Sequence, residues 1–203
     1  MKEYKNFNKV MSEKTNTDDY SVITSTDDYS VVTNINSRSV VTNTGDCSVA
    51  VNTDDSSVVT NAGDCSIATN TGEYSTAKTA GEHSTAINAG SLSAAISTGE
   101  CSAAINAGYL SEATSTGDCS VAVNTGTCAT ATVKEEGNIA VVTGYNSKAK
   151  GVKGSWIVCT ERNRYWTVLC VKATEVDGVR IKENTFYTLK KGEFVEVEDD
   201  EQG

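Results

Sequence analysis

Between residues 12 and 150, small, apolar and polar residues follow one another in a cycle of nine. Serine stands at 12, 21, 30, 39, 48, 57, 66, 75, 84, 93, 102, 111 and 120, and the register runs on through Ala129, Asn138 and Ser147. Counted from its serine, each nonad is apolar at the third position: Ile23, Val32, Val41, Ala50, Val59, then alanine at every repeat to Ala149. In an extended segment the first and third positions share a face, so Ser and Ala or Val point inward together and the walls lie close. The fifth to eighth positions read Asn-Thr-Gly-Asp or near variants. This is turn chemistry, in which Gly is expected to supply positive φ and Asn or Asp to bond nearby backbone. Each nonad therefore reads as a short strand and a turn. One unit has nothing to bury its apolar side against, whereas stacked units do, so the fold class predicted is all-β, a parallel β-solenoid. Turn residues every nine positions in Val- and Thr-rich units argue against an amphipathic helix.

Alternate nonads differ. In the set beginning at Ser21, the eighth position is Asp28, Asp46, Asp64, Glu82, Glu100 and Asp118; in the intervening set it is Asp19, Ser37, Asp55, Glu73, Ser91, Tyr109 and Thr127. The ninth position of the acidic set runs Tyr29, Cys47, Cys65, His83, Cys101 and Cys119. Two nonads per coil, 18 residues, account for both columns, with strands of successive coils about 4.8 Å apart. Outward positions on one wall include Val49, Val51, Ile67, Ile87, Ile105, Val121 and Val123. A strip this apolar is a candidate dimer face, or a dock for another segment. The outward threonines of the other wall, Thr24, Thr42 and Thr60, give way to Lys78 and Ile96, so a flat Thr array for ice is not sustained.

From about residue 151 both Trp and most bulky residues appear and the nonad register is lost. Ser155 to Thr160, Tyr165 to Glu175, Val179 to Lys182, Phe186 to Leu189 and Phe194 to Val197 read as strands, joined by turns at Asp177-Gly178 and Lys191-Gly192. The predicted organisation is an N-terminal cap segment 1–11, a solenoid 12–150 and a small antiparallel β cap 151–203. A cap is expected because an open solenoid end is an unpaired edge.

Charge changes the picture more than composition does. Of a net charge of −10, residues 12–128 hold 14 Asp and Glu against 3 Lys and Arg, so the repeats carry the excess. Direct contact with a nucleic-acid backbone is disfavoured there, and a basic protein surface is the partner expected. No run approaches the roughly 18 apolar residues of a membrane span, and the first residues lack the apolar core of a secretory signal, so no membrane partner and a cytoplasmic location are expected. Seven cysteines without an export signal are read as reduced thiols.

Candidate chemistry is sparse. Aligned on its apolar residue, the nonad puts Ser where the calcium β-roll pattern has its liganding Asp, so calcium sites are not reproduced. A straight column of Cys with His83 is a poor tetrahedral cage for zinc, and stacked small residues are the simpler reading. With one histidine in the chain no Ser/His or Cys/His pair with an orienting acid is apparent. The sequence thus points to no catalytic residue, no metal site, no cofactor and no enzyme activity. The acidic column asks for more, since carboxylates about 4.8 Å apart repel by roughly 1 kcal/mol per neighbouring pair even in water.

The segments NTGEYSTAK (70–78), VVTGYNSKAKGVKGSWIVCTERN (141–163) and VDGVRIKENTFYTLKKGEFVEV (176–197) together resemble a phage and bacterial family of nonapeptide-repeat β-solenoid proteins with a short C-terminal β tail. The resemblance implies a solenoid of phage or mobile-element association and transfers no catalytic residue. Cysteine at the ninth position departs from the family's Tyr or other large residue. The function expected is non-enzymatic: inhibition of a host nucleic-acid-handling or defence enzyme by Asp28, Asp46, Asp64, Glu82, Glu100 and Asp118 acting as a nucleic-acid mimic. The alternative is a virion or surface assembly protein that uses the apolar wall and the cap to form a homo-oligomer, most simply a dimer.

Overall fold

A computed structural model describes residues 12–198; the expected N-terminal cap segment, 1–11, lies outside the described residues. The chain runs through β1 (Glu13–Asn16), β2 (Val22–Ser25), β3 (Val31–Asn34), β4 (Val40–Asn43), β5 (Val49–Asn52), β6 (Val58–Asn61), β7 (Ile67–Asn70), β8 (Thr76–Thr79), β9 (Thr85–Asn88), β10 (Ala94–Ser97), β11 (Ala103–Asn106), β12 (Glu112–Ser115), β13 (Val121–Asn124), β14 (Thr130–Val133), β15 (Ile139–Val142), β16 (Lys148–Lys150), β17 (Trp156–Arg162), β18 (Val168–Glu175), β19 (Phe186–Lys190) and β20 (Glu193–Val197). Odd strands to β17, followed by β18, form one ten-stranded sheet; even strands to β16, followed by β19 and β20, form the other. Repeat strands pair in parallel at an offset of 18, as in Val49↔Ile67 and Val58↔Thr76. Nine steps of about 4.8 Å make each sheet about 43 Å long.

Three inward columns fill the space between the sheets: serine, alanine or valine, and asparagine. The third-position column is fully buried from Val32 to Ala149. Serine is small and carries a donor and an acceptor on one atom. The Ser48 amide donates to Ser66 Oγ at 3.0 Å, and Ser66 Oγ donates to the Asp64 carbonyl at 3.0 Å, tying each coil to the next and to its own turn. Where Asn138 replaces serine its amide ties the coil to the one before, accepting from the Ser120 N–H at 2.8 Å and donating to the Gly117 carbonyl at 2.7 Å.

The fifth-position asparagines are strand ends pointing inward, not exposed turn residues, and Asn34, Asn43, Asn52, Asn61 and Asn70 are completely buried. Asn106 shows how such a polar group is held in the core. Its Nδ2 donates to the Ser93 and Glu112 carbonyls at 3.1 and 2.9 Å, and its Oδ1 accepts from the Gly108 N–H at 3.0 Å. One side chain thus closes its own turn and ties it to carbonyls of the other sheet.

The expectation that the turn glycines supply positive φ is corrected. The left-handed residue is the ninth, whatever its identity: Cys47 (φ 53°), Tyr74 (54°), His83 (53°), Leu92 (54°). The seventh-position glycines instead lie against the preceding coil, since a Cβ on Gly81 would lie 2.1 Å from the Gly63 carbonyl oxygen, although Asp27, Asn36, Asp54 and Glu135 stand at the same position in other repeats. Only Gly137 and Gly154 take the left-handed position itself, at φ 76° and 83°.

The nonad grammar also runs past residue 150, beyond the boundary expected from the sequence. Strand β17 pairs in parallel with β15, but Ile139 meets Trp156 at an offset of 17. Residues 147–154 form an eight-residue repeat, after which Ser155, Ile157 and Cys159 occupy the serine, apolar and asparagine positions and are fully buried. Strands β18 and β20 then add antiparallel, so the cap extends both sheets and presents two new edges. Val179 to Lys182, expected as a strand, is a loop, because Asp177 Oδ1 accepts from the amides of Val179, Arg180 and Ile181 at 2.8, 2.8 and 3.0 Å. The Glu161 carboxylate receives the Lys191 and Gly192 amides, each at 2.8 Å, fastening the β19–β20 turn to the opposite sheet.

Candidate functional site: the acidic corner and the apolar face

The corner after each even strand carries the acidic column. The Cys47 amide donates to the Asp64 carbonyl at 2.8 Å, Cys65 to Glu82 at 2.8 Å, His83 to Glu100 at 2.9 Å and Cys101 to Asp118 at 2.8 Å. The backbone of these rungs is therefore in register, and Asp28, Asp46, Asp64, Glu82, Glu100 and Asp118 stack along one edge, all exposed. Glu136, exposed and 18 residues beyond Asp118, adds a rung that the six-residue acidic set did not include.

The column has a structural use that the repeat pattern alone did not reveal. Asp28 Oδ1 accepts from the Asp46 amide at 3.1 Å, Asp46 Oδ1 from the Asp64 amide at 2.9 Å, and Asp64 Oδ1 from the Glu82 amide at 2.8 Å. An amide left over by the turn is thereby satisfied, and the charge strengthens the bond. The opposite corner does this once, Asp55 accepting from Glu73 at 2.8 Å, and elsewhere places Asp19, Ser37, Ser91, Tyr109 and Thr127 at the eighth position.

Beside the carboxylates, Cys47, Cys65, Cys101 and Cys119 are exposed. The Cys47 thiol is held above its usual range by local desolvation first, then by Cys65 and by Asp46; Cys101 is raised by desolvation and by Cys119. In contrast, Cys159 lies in the core, where burial pushes it up to about 12.

Val49, Val51, Ile67, Ile87, Ile105, Val121 and Val123 lie on the outer face of the odd-strand sheet, in two ladders one residue pair wide. Ile67 is exposed and the others are half-buried by their rung neighbours. The ladders run on through Ile139 and Val141 to Trp156 and Val158. Acidic corner and apolar face are thus separate surfaces, both running the length of the rod.

No protein-family model, no curated protein and no solved structure matches this chain. The 18-residue solenoid therefore stands on the chain's own geometry. Among the described residues, no helix is long and apolar enough to cross a membrane.

Proposed function

We propose that the protein is a non-enzymatic interaction protein whose acidic corner occupies a basic groove of a nucleic-acid-handling or defence enzyme and inhibits it. The observation that carries this reading is the persistence of charge along the column. Asp28, Asp46 and Asp64 use a carboxylate oxygen to bond the next coil's amide, a task a neutral asparagine would also perform. Glu82 and Glu100 make no such bond, yet the position stays acidic through Asp118 and Glu136. What the rungs share is negative charge at a regular spacing of about 4.8 Å on a rigid support, which suits a surface shaped for a phosphate backbone. A phage or mobile-element setting, with a host enzyme as target, belongs to this proposal.

The test is capture from a bacterial lysate on the immobilised full-length protein, eluted with salt or with a short DNA duplex. Raising salt from about 50 to 500 mM shortens the Debye length from roughly 14 to 4 Å and should release the target, as should competitor DNA. The variant D64N/E82Q/E100Q removes three charges while keeping an acceptor at residue 64, so it should fold and lose both capture and inhibition. Capture undiminished by the triple substitution would refute the reading.

A second reading, homodimeric assembly, is favoured by the apolar face, whose two ladders are aligned and uninterrupted by charge from Val49 to Val141. A second copy of such a face is apolar at the same spacing and so complementary to it.

A further inference from the structure

The ninth position of the acidic corner reads Tyr29, Cys47, Cys65, His83, Cys101, Cys119. All six residues are left-handed, with φ from 50° to 57°, so each side chain leaves the corner from the same backbone geometry. The four thiols make two pairs on adjacent rungs, Cys47 with Cys65 and Cys101 with Cys119, exposed on a corner whose backbone is bonded rung to rung, Cys47 N–H to the Asp64 carbonyl and Cys101 N–H to the Asp118 carbonyl, each at 2.8 Å. Asp46 and Asp28 act electrostatically on Cys47, Glu100 and Glu82 on Cys101.

Three chemistries compete for such a pair. Structural zinc takes four ligands in a tetrahedron. Among the described residues no three His, Cys, Asp or Glu side chains converge on a point, so that site is not built. A disulfide wants Cβ atoms about 3.5–4.5 Å apart, whereas the rungs hold equivalent atoms about 4.8 Å apart. Disulfide exchange also begins with a thiolate, which desolvation, the neighbouring thiol and the carboxylates disfavour at Cys47 and at Cys101, and the acidic corner repels anionic disulfides such as oxidised glutathione. A soft cation reverses each of these terms. Thiolates select Cu(I) among soft ions. With a metal–sulfur bond of about 2.3 Å, two bonds in line span about 4.6 Å, close to the rung spacing. The carboxylates draw the cation in.

The geometry points to two sites for a soft monovalent cation of the Cu(I) class, one bridging Sγ of Cys47 and Cys65, the other bridging Sγ of Cys101 and Cys119. Each ion forms two metal–sulfur bonds and displaces two thiol protons to water, with no change of oxidation state. His83 separates the two sites by one rung on either side and is not a ligand.

The test is anaerobic titration of the reduced full-length protein with Cu(I), in competition with the chromogenic chelator bicinchoninate. Two Cu(I) per chain are expected to be withheld from the chelator. C65S should withhold one and C65S/C101S none, while C128S, on the opposite corner, and H83N should keep two. The serine variants are expected to fold, because Ser56 already holds the same left-handed position at φ 55°. Uptake that survives C65S/C101S, a loss of copper in H83N, or a reduced protein that withholds no copper would each overturn the assignment.

Discussion

At the residue scale, two kinds of glycine do different work in one turn. Gly81 is there because the coils touch: an added Cβ would sit 2.1 Å from the Gly63 carbonyl oxygen, a backbone atom with nowhere to go. Gly137 faces open space but has φ 76°. Two substitutions separate these causes. Gly81→Ala must push neighbouring coils apart and should lower stability by about 3 kcal/mol or more, as overpacking against backbone does. Gly137→Ala meets no atom and bears only the left-handed penalty, about 1 kcal/mol. Urea midpoints of the two variants, read at equal m-value, check the ranking; equal losses would mean that the coils yield to the added Cβ at little cost.

At the element scale, two carboxylates fasten the C-terminal end by accepting backbone amides. The Glu161 clamp ties the β19–β20 turn to the opposite sheet, while the loop after β18 hangs on the carboxylate of Asp177. Hydrogen bonds from Ile181 and Val179, then from Arg180, together with the Arg180 charge, hold the Asp177 carboxyl below its usual range despite some desolvation. A lowered folded value means that the loop's stabilisation is fully present above the unfolded value of about 3.9 and is lost as pH falls through the folded value. Amide hydrogen exchange at Val179, Arg180 and Ile181, corrected for intrinsic rates, should therefore show protection at pH 5 that disappears in stronger acid. Asp177→Asn keeps an acceptor without the titration and should flatten that dependence; an unchanged acid opening in the variant would assign it to another group.

At the scale of the whole molecule, the two sheets have unequal outsides. The odd-strand sheet offers the apolar ladders, and the other carries Lys78, Glu112, Lys148 and Lys150 among its outward residues. Burial of the apolar ladders against a second copy should give a dimer that persists in high salt, in contrast to binding at the acidic corner, which salt weakens. Sedimentation of the parent at tens of micromolar should show the dimer, and I87K/I105K should return it to monomer with the fold intact. A monomer in the parent at that concentration would remove the apolar face from consideration as a self-association surface.

The sequence by itself determined the repeat, the 18-residue coil, the small inward column and the stacking of the six acidic residues, because a solenoid makes neighbours of residues at a constant offset. Periodicity in the chain is then contact in space, and Asp46, Asp64 and Glu82 can be placed together without coordinates. What only the tertiary structure decided depends on atoms a fraction of an ångström apart or on a break in the count. The nonad shows glycine in a turn, but not that Gly81 lies against a neighbouring carbonyl while the left-handed φ falls two residues later, on His83. It shows asparagine before the turn, but not that Asn106 turns inward to three backbone partners. It shows acids at the eighth position, but not that Asp28, Asp46 and Asp64 each hold the next coil's amide. Ser155 to Thr160 is legible as a strand, but the missing residue in 147–154 hid that β17 is a parallel rung of the solenoid, since a one-residue deletion destroys a fixed count while the backbone absorbs it in a shortened turn and keeps the sheet paired.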